Sequence, residues 1–194
     1  MTNYHNDLIN YISRMDARQK LALHSCCAPC SSYVLEFLSE YFDVTVFFYN
    51  PNIHPQSEYE HRLSEQRRLC GLLNIPLVEC VYDTQSFFDS VRGLEQEPEG
   101  GARCRKCFEL RLDNTARLAK AAGFELFTAT LTVSPHKNAG AVNDAGLAAA
   151  RRHKIEWLPC DFKKRGGYQR SIELSRQYEL YRQHYCGCTF SKQD

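Results

Sequence analysis

Seven thiols in three short groups are the residues of this sequence best suited to chemistry. His24-Ser25-Cys26-Cys27-Ala28-Pro29-Cys30 puts three of them on one turn, and Cys104-Arg105-Lys106-Cys107 and Cys186-Gly187-Cys188 add two pairs. Thiolates bind soft metals, and iron–sulfur clusters are held mainly by cysteine. A C-x-x-C pair at a helix start holds two sulfurs close together, and a helix N-terminus favours the thiolate. Cys27/Cys30 and Cys104/Cys107 both have this spacing, and both fall at predicted helix starts. Two such pairs alone would suit one structural zinc, which needs four ligands. Seven thiols exceed that need and fit a cluster with a second metal, or a cluster with redox-active thiols; zinc stays open on count alone. A dithiol oxidoreductase built on Cys27-Ala28-Pro29-Cys30 would leave the other grouped thiols unexplained. Cys70 and Cys80 lie inside apolar patterns and read as core, and Cys160 reads as a wall residue.

The chain around these thiols has 194 residues, 43% of them apolar, and a net charge of +1, the composition of one soluble domain over 1–194. Ten cysteines suit a disulfide framework only in a small secreted chain. The first twenty residues here are polar and mixed in charge, and the most apolar run, Val44 to Tyr49, is far too short to span a membrane. A reducing, cytoplasmic setting with no membrane partner is therefore expected, and in it clustered cysteines read as metal ligands or catalytic thiols.

Positioning the thiols falls to alternating strands and helices. Residues 1–19 read as an N-terminal helix. Lys20–His24 reads as a buried strand running into the first thiol group, with Pro29 in the first turn of the helix that follows. Asp43–Tyr49 is the clearest strand and ends in the loop Asn50–Pro55; Ser57 and Glu60 have capping-box spacing for a helix to about Leu73. Pro76–Tyr82 is a third strand. A short helix near Phe87–Leu94 and a Gly-rich lead-in precede a helix over about Lys106–Ala122, stopped by Gly123. Phe124–Val133 reads as the fourth strand with the exit loop Ser134–Asn138, then a helix to Arg152, the strand Ile155–Leu158 and a helix over about Tyr168–Tyr185. The Cys-containing tail 186–194 then returns to the site. This alternation predicts an α/β fold with a doubly wound, mostly parallel five-stranded sheet flanked by helices. Sites in such sheets form beyond the carboxyl ends of the strands, where the first thiol group, Asn50–Pro55, Ser134–Asn138 and Cys160-Asp161 all fall.

Charge marks a second feature. Between Arg151 and Arg176 eight Lys and Arg face three acids, and Lys163-Lys164-Arg165-Gly166-Gly167-Tyr168 is a basic loop opening onto an aromatic. A phosphate backbone is the natural partner of such a patch. Arg103, Arg105, Lys163, Lys164, Arg165 and Arg170 are the candidate RNA contacts. No G-x-G-x-x-G or G-K-[ST] stands at a strand end, so no ATP, NAD or flavin bound by such a motif is expected, and electrons must come from an outside donor.

These stretches together resemble the QueH-type epoxyqueuosine reductases, over nearly the whole chain after residue 20. The resemblance lies in H-x-C-C-A-P-C at His24–Cys30, Y-N-P-N-I-H-P at Tyr49–Pro55 with E-Y-x-x-R at Glu58–Arg62, and R-C-x-x-C-F-x-x-R-L at Arg103–Leu112. It continues in C-D-F-K-K at Cys160–Lys164, G-Y-Q-R-S at Gly167–Ser171 and Y-C-G-C at Tyr185–Cys188. It implies a fold like that of the adenine-nucleotide α-hydrolases (HUP-like, Rossmann-like), with the thiol motif in place of the ATP loop. It implies reduction of epoxyqueuosine to queuosine at the wobble position of tRNAs with GUN anticodons. This is the last step of queuosine biosynthesis, without cobalamin, with a [4Fe-4S] cluster and a nearby mononuclear iron. An electron donor such as a ferredoxin or flavodoxin would be needed. Carried onto this sequence, Cys26, Cys27, Cys104 and Cys107 are the expected cluster ligands, and Cys30, Cys186 and Cys188 surround the second metal or act as thiols. His24, His54 and Tyr49 are candidate proton donors, and Asp161 a candidate ligand or base. The contrasting readings are a zinc-stabilised RNA-binding module without redox chemistry and a C-x-x-C dithiol oxidoreductase.

Overall fold

A computed structural model describes residues 3–191 of the chain. Of the expected N-terminal helix and C-terminal tail, residues 1–2 and 192–194 lie outside that range. The strands are β1 (Gln19–His24), β2 (Phe42–Phe48), β3 (Leu77–Glu79), β4 (Leu126–Ala129) and β5 (Glu156–Trp157). They form one sheet in the order β3-β2-β1-β4-β5, and every pairing is parallel. The helices are α1 (Tyr4–Ile12), α2 (Ala28–Leu38), α3 (Gln56–Leu73), α4 (Thr84–Ser90), α5 (Ala102–Ala121), α6 (Ala139–His153) and α7 (Gly167–Gln177).

β1 is central because Leu21 to His24 are wholly buried, as a parallel strand covered on both faces requires. Leu21 pairs with Val44 and Leu126, and His24 with Phe47 and Ala129, so β1, β2 and β4 end nearly level. The chain leaves β1 for β2 on one side, and β4 lies on the other. This is the point where strand order reverses and a crevice opens past the carboxyl ends. Helices pack in pairs, α2 with α7 and α5 with α6. Gly146 lets α6 lie directly on β5: a Cβ there would sit 2.3 Å from the Trp157 ring. The Trp157 indole N–H donates to Asn143 Oδ1 at 3.0 Å, which satisfies the one polar atom that this packing buries.

The α/β alternation and the parallel sheet match expectation, and the departures have local causes. The fourth strand stops at Ala129, and Thr130–Val133 tightens into a 3₁₀ turn. Its hydroxyls account for the change: Thr130 Oγ1 accepts from Cys26 N–H, and Thr132 Oγ1 accepts from Phe162 N–H. No capping box forms at Ser57–Glu60, because α3 starts earlier, after Pro55. The α5 helix starts at Ala102, about a turn earlier than expected, so Cys104 as well as Cys107 sits in its first two turns. Gly123 stops that region as expected, at φ +80. The last helix ends at Gln177 instead of Tyr185. Arg68 there donates to the carbonyls of Tyr178 and Glu179, and Glu65 accepts from Tyr181 N–H. These competing partners draw the chain off the helix axis toward the site.

Candidate metal centre

The turn from β1 into α2 gathers the first thiol group. Ser25 N–H donates to Phe47 O at 3.0 Å, so the backbone follows the sheet to that residue and then turns. Pro29 sits in the first turn of α2, where its missing N–H costs nothing. One sulfur from each of Cys26, Cys27 and Cys30 lies within 4.8 Å of the other two. Cys26 and Cys27 are buried, whereas Cys30 is partly exposed. Hydrogen bonds from the Cys27 and Cys30 thiols hold Cys26 well below the usual thiol range. The same bonds push Cys27 up to about 11 and Cys30 upward. Gln183 Nε2 donates to Cys27 Sγ at 2.9 Å, tying the segment after α7 to this turn. All ten cysteines are free thiols.

The other four thiols form a second group. Cys104, Cys107, Cys186 and Cys188 line one cavity between α5 and the tail. Cys107 and Cys188 pack with Phe87 and Val91 of the α4 region. Gly100 N–H donates to Cys104 Sγ at 3.2 Å. Burial raises the Cys104 and Cys107 thiols, while Cys186 is lowered by hydrogen bonds, first from Cys188 and then from Ser191. The tail is latched from the β2–α3 loop. His54 N–H donates to Gly187 O at 2.8 Å, and the Tyr185 hydroxyl donates to His54 O at 2.6 Å. The buried Arg62 guanidinium donates to the carbonyls of Tyr185 and Cys186, both at 3.2 Å, lies over the Tyr185 ring and pairs with Glu58 at 2.7 Å.

Two cations stand between the groups. Arg111, only 2% exposed, donates to Asn50 Oδ1 at 2.7 Å, and Asn50 Nδ2 donates to Ser25 O at 2.9 Å. Another Arg111 nitrogen points at Cys107 Sγ, 3.9 Å away, and Nε has no partner among the described residues. No carboxylate pairs with this buried guanidinium among those residues. The second cation is Lys137, whose backbone is held by its N–H on Ser134 O and by Lys163 Nζ on its own carbonyl. Lys137 lines the four-thiol cavity and also a larger, open one of about 730 Å³ that reaches Cys30 and Cys186. Burial opposes charge on Lys137, but negative charge on the neighbouring thiols, Cys26 first, outweighs it and keeps the ammonium above its ordinary range. A buried cation without a carboxylate, beside thiols in groups of three and four, fits an anionic thiolate-bound metal centre, which would neutralise it.

The expected set of seven thiols is thus brought to one end of the sheet, but grouped as three and four. Cys26 and Cys27 converge with Cys30, and Cys104 and Cys107 share their cavity with Cys186 and Cys188. The candidate proton donors do not reach either cavity. His24 is wholly buried, bonds Tyr49 O through Nε2 and is lowered to about 3 by burial, so it stays neutral. The Tyr49 phenol is pushed up to about 12 by burial and then by Asp83 and Cys80, on the far side from the grouped thiols. The His54 ring packs among Phe88, Phe87 and Tyr82, and burial lowers it. Asp161 faces Lys163, 3.3 Å away, and its neighbour Cys160 hydrogen-bonds Thr132 and Ala129 as a wall residue. Cys70 is buried core, accepting from Gln66 Nε2, and Cys80 is partly buried.

Among the candidate RNA contacts, Arg103 is turned inward. It is 2% exposed, donates to the carbonyls of Glu95 and Glu97 and covers the Phe190 ring, so it braces the lead-in to α5. Arg170 is paired with Glu36 and Glu173, and Lys163 with Asp161. Arg105, Lys164 and Arg165 are exposed and make no ion pair among the described residues. Sequence reasoning passed over Arg111, Arg62, Gln183 and Lys137. The available signals were the arginines that close E-Y-x-x-R (Arg62) and R-C-x-x-C-F-x-x-R-L (Arg111).

The family model described as "Epoxyqueuosine reductase QueH" matches residues 21–194. A protein named Epoxyqueuosine reductase QueH from Streptococcus pyogenes serotype M1 is 44% identical over 180 residues, covering 90% of this chain and 71% of its own. One of the same name from Staphylococcus epidermidis (strain ATCC 12228 / FDA PCI 1200) is 42% identical over 200 residues, covering 97% and 84%. Among solved structures, the U34-tRNA thiolase NcsA from Methanococcus maripaludis with its [4Fe-4S] cluster superposes at a TM-score of 0.63. Its identity is 13%, over 98% of this chain and 67% of that one, a likeness of fold.

Proposed function

The chain belongs to the QueH family of epoxyqueuosine reductases, and from that membership we propose that it reduces epoxyqueuosine to queuosine at the wobble position of tRNA, as the last step of queuosine biosynthesis. One observation carries the reading at the level of the site. Seven thiols meet past the carboxyl end of β1 in two adjoining groups, and a cavity of about 730 Å³ leads to one thiol of each. That volume lies within the range of small-molecule sites and would take a modified base turned out of its stack.

A [4Fe-4S] cluster and a second, mononuclear iron would be held by the two groups, one by Cys26, Cys27 and Cys30, the other by Cys104, Cys107, Cys186 and Cys188. When bound, such a centre supplies electrons one at a time and a Lewis acid for an oxygen ligand. The chain's own residues set up that centre. Arg111 balances its negative charge and ties the α5 thiols through Asn50 to the first turn. Gln183 and Thr130 orient the first group, and Arg62 holds the tail thiols in place. Tyr168 and Tyr185, which line the open cavity, offer rings for base stacking. Arg105, Lys164 and Arg165 offer unpaired charge to the phosphates of a tRNA with a GUN anticodon. The chain acts as a single iron–sulfur domain in the cytoplasm, without cobalamin, on electrons from a carrier such as a ferredoxin or flavodoxin.

The test pairs tRNA with metal. Anaerobically purified protein with a reductant should convert epoxyqueuosine in tRNA to queuosine, read by nucleoside analysis; an iron-loaded protein that leaves epoxyqueuosine intact refutes the function. Cys26→Ser and Cys104→Ser should lose different amounts of iron and sulfide. Identical losses would refute the division between the two groups.

A further inference from the structure

Among the described residues, Lys137 is the one lysine or arginine that lines both cavities, where Glu99, His136 and Cys186 also meet. It lines the four-thiol cavity and the open one that reaches Cys30 and Cys186. Its Nζ makes no hydrogen bond or ion pair among the described residues, although its backbone is fixed on three sides. Its N–H reaches Ser134 O at 3.3 Å, Lys163 Nζ reaches its carbonyl at 3.0 Å, and the next residue, Asn138, caps α6 by accepting from Ala141 N–H at 3.1 Å. A free ammonium on a fixed backbone is a donor set in advance for a ligand atom.

Other cations near the thiols are already committed. Arg111 is spent on Asn50 and faces Cys107, Arg103 holds loop carbonyls, and Arg62 holds the tail. Arg182 donates to Ser175 Oγ; His136, at the edge of both cavities, and His184, at the mouth of the open one, lie exposed. We propose that Lys137 is a catalytic residue of this site: its ammonium, where the two cavities meet, binds the oxygen of the substrate's three-membered ring while the carbon–oxygen bonds break.

The assignment rests on the epoxide reading above. Both carbon–oxygen bonds of the ring break and a carbon–carbon double bond forms. Two electrons come from an external low-potential carrier, and the oxygen leaves as water with two protons that solvent replaces. Oxygen gains negative charge along this path, and an ammonium hydrogen-bonded to it is worth more as that charge grows.

The experiment compares wild type, Lys137→Met and Lys137→Arg, each anaerobically loaded with iron and given epoxyqueuosine-containing tRNA. Lys137→Met should carry the wild-type iron content and absorbance and bind tRNA with an unchanged Kd, while kcat falls about 10²–10³-fold, as when one donor to a developing oxyanion is removed. Lys137→Arg should recover part of that loss, since it keeps the charge and donors. The midpoint potential of the centre should fall in Lys137→Met and not in Lys137→Arg, because a positive charge beside the thiolates has gone. A kcat for Lys137→Met within about threefold of wild type, well short of the loss expected of such a donor, overturns the proposal. Loss of iron in that variant would also overturn it, in favour of a structural role. If wild type itself leaves the epoxide intact, the epoxide reading fails and the assignment to ring oxygen with it. The potential measurement then still reports whether Lys137 acts on the centre.

Discussion

Replacing Gly187 by alanine should open the site without unfolding the protein. Gly187 has φ +99, and a Cβ there would lie 2.9 Å from Ile53 Cγ1 and 3.1 Å from Arg62 Nη1. An L-residue in the left-handed region costs about 1–2 kcal/mol. Moving Arg62 away from the Cys186 carbonyl forfeits a charged hydrogen bond, about 1.5–3 kcal/mol. Together these give about 2.5–5 kcal/mol against the latched tail, which at about 1.4 kcal/mol per decade lowers the closed-to-open ratio about 60- to 4,000-fold. The sheet contributes none of its pairings to this latch, so the cost falls on the tail alone. The direct assay is hydrogen exchange at His54 N–H, whose acceptor is Gly187 O. Its protection should drop by that factor while amides in β1 keep theirs. Iron content should fall as Cys186 and Cys188 swing away, and Tm should move little. Unchanged protection at His54 together with unchanged iron would refute the latch.

Further outcomes follow from packing and titration. Gly146→Ala should destabilise the fold by about 1–3 kcal/mol, since its Cβ would enter the Trp157 ring; urea unfolding followed by Trp157 fluorescence measures it, and wild-type stability would show that α6 does not rest on β5 as described. His24 titrates at about 3 when folded, below its ordinary value of 6.5. The unfolded chain therefore binds the proton first. The contribution of this residue is complete above pH 6.5 and is lost as pH falls from 6.5 toward 3, with a slope of at most about 1.4 kcal/mol per pH unit. Between pH 7.5 and 5 metal-free wild type should lose stability more steeply than His24→Gln by that amount, the remaining slope coming from other histidines that burial lowers, such as His54; equal slopes would mean that His24 is not buried neutral.

The parallel sheet and the meeting of the thiols could be read from the sequence because their signals are local. β-branched runs mark strands, and Pro29 and the C-x-x-C spacing mark helix starts. What could not be read depends on contacts between distant segments. Arg111 looks like one more polar residue on a charged helix, and only the docking of α5 beside Asn50 reveals it as buried. Lys137 sits in a five-residue loop with no periodicity to place it. The spacing of Leu174, Tyr178, Tyr181 and Tyr185 mimics a helical stripe, yet Glu65 and Arg68 of α3 take over the backbone groups after Gln177. Arg103 and Arg170 read as free charge in a basic stretch, and composition does not show that folding turns Arg103 onto the carbonyls of Glu95 and Glu97 or brings Glu36 of α2 beside Arg170. His24 shows the same limit, since its neutrality comes from the depth of β1 rather than from its neighbours in sequence.

The two thiol groups differ in how far along the chain their members lie. Cys26, Cys27 and Cys30 belong to one turn and come together as soon as β1 and α2 dock, a closure of only a few residues. Cys104 and Cys188 are about eighty residues apart, and they meet only after β4, α6, β5 and α7 have been laid down between them. Loop-closure entropy rises only slowly with length, so the delay is one of time more than of stability. Metal offered to a folding chain therefore finds three sulfurs ready well before the other four. On the iron reading proposed above, the first group would be the early port for the metal, and the second would complete the centre when the Arg62 latch closes over the tail.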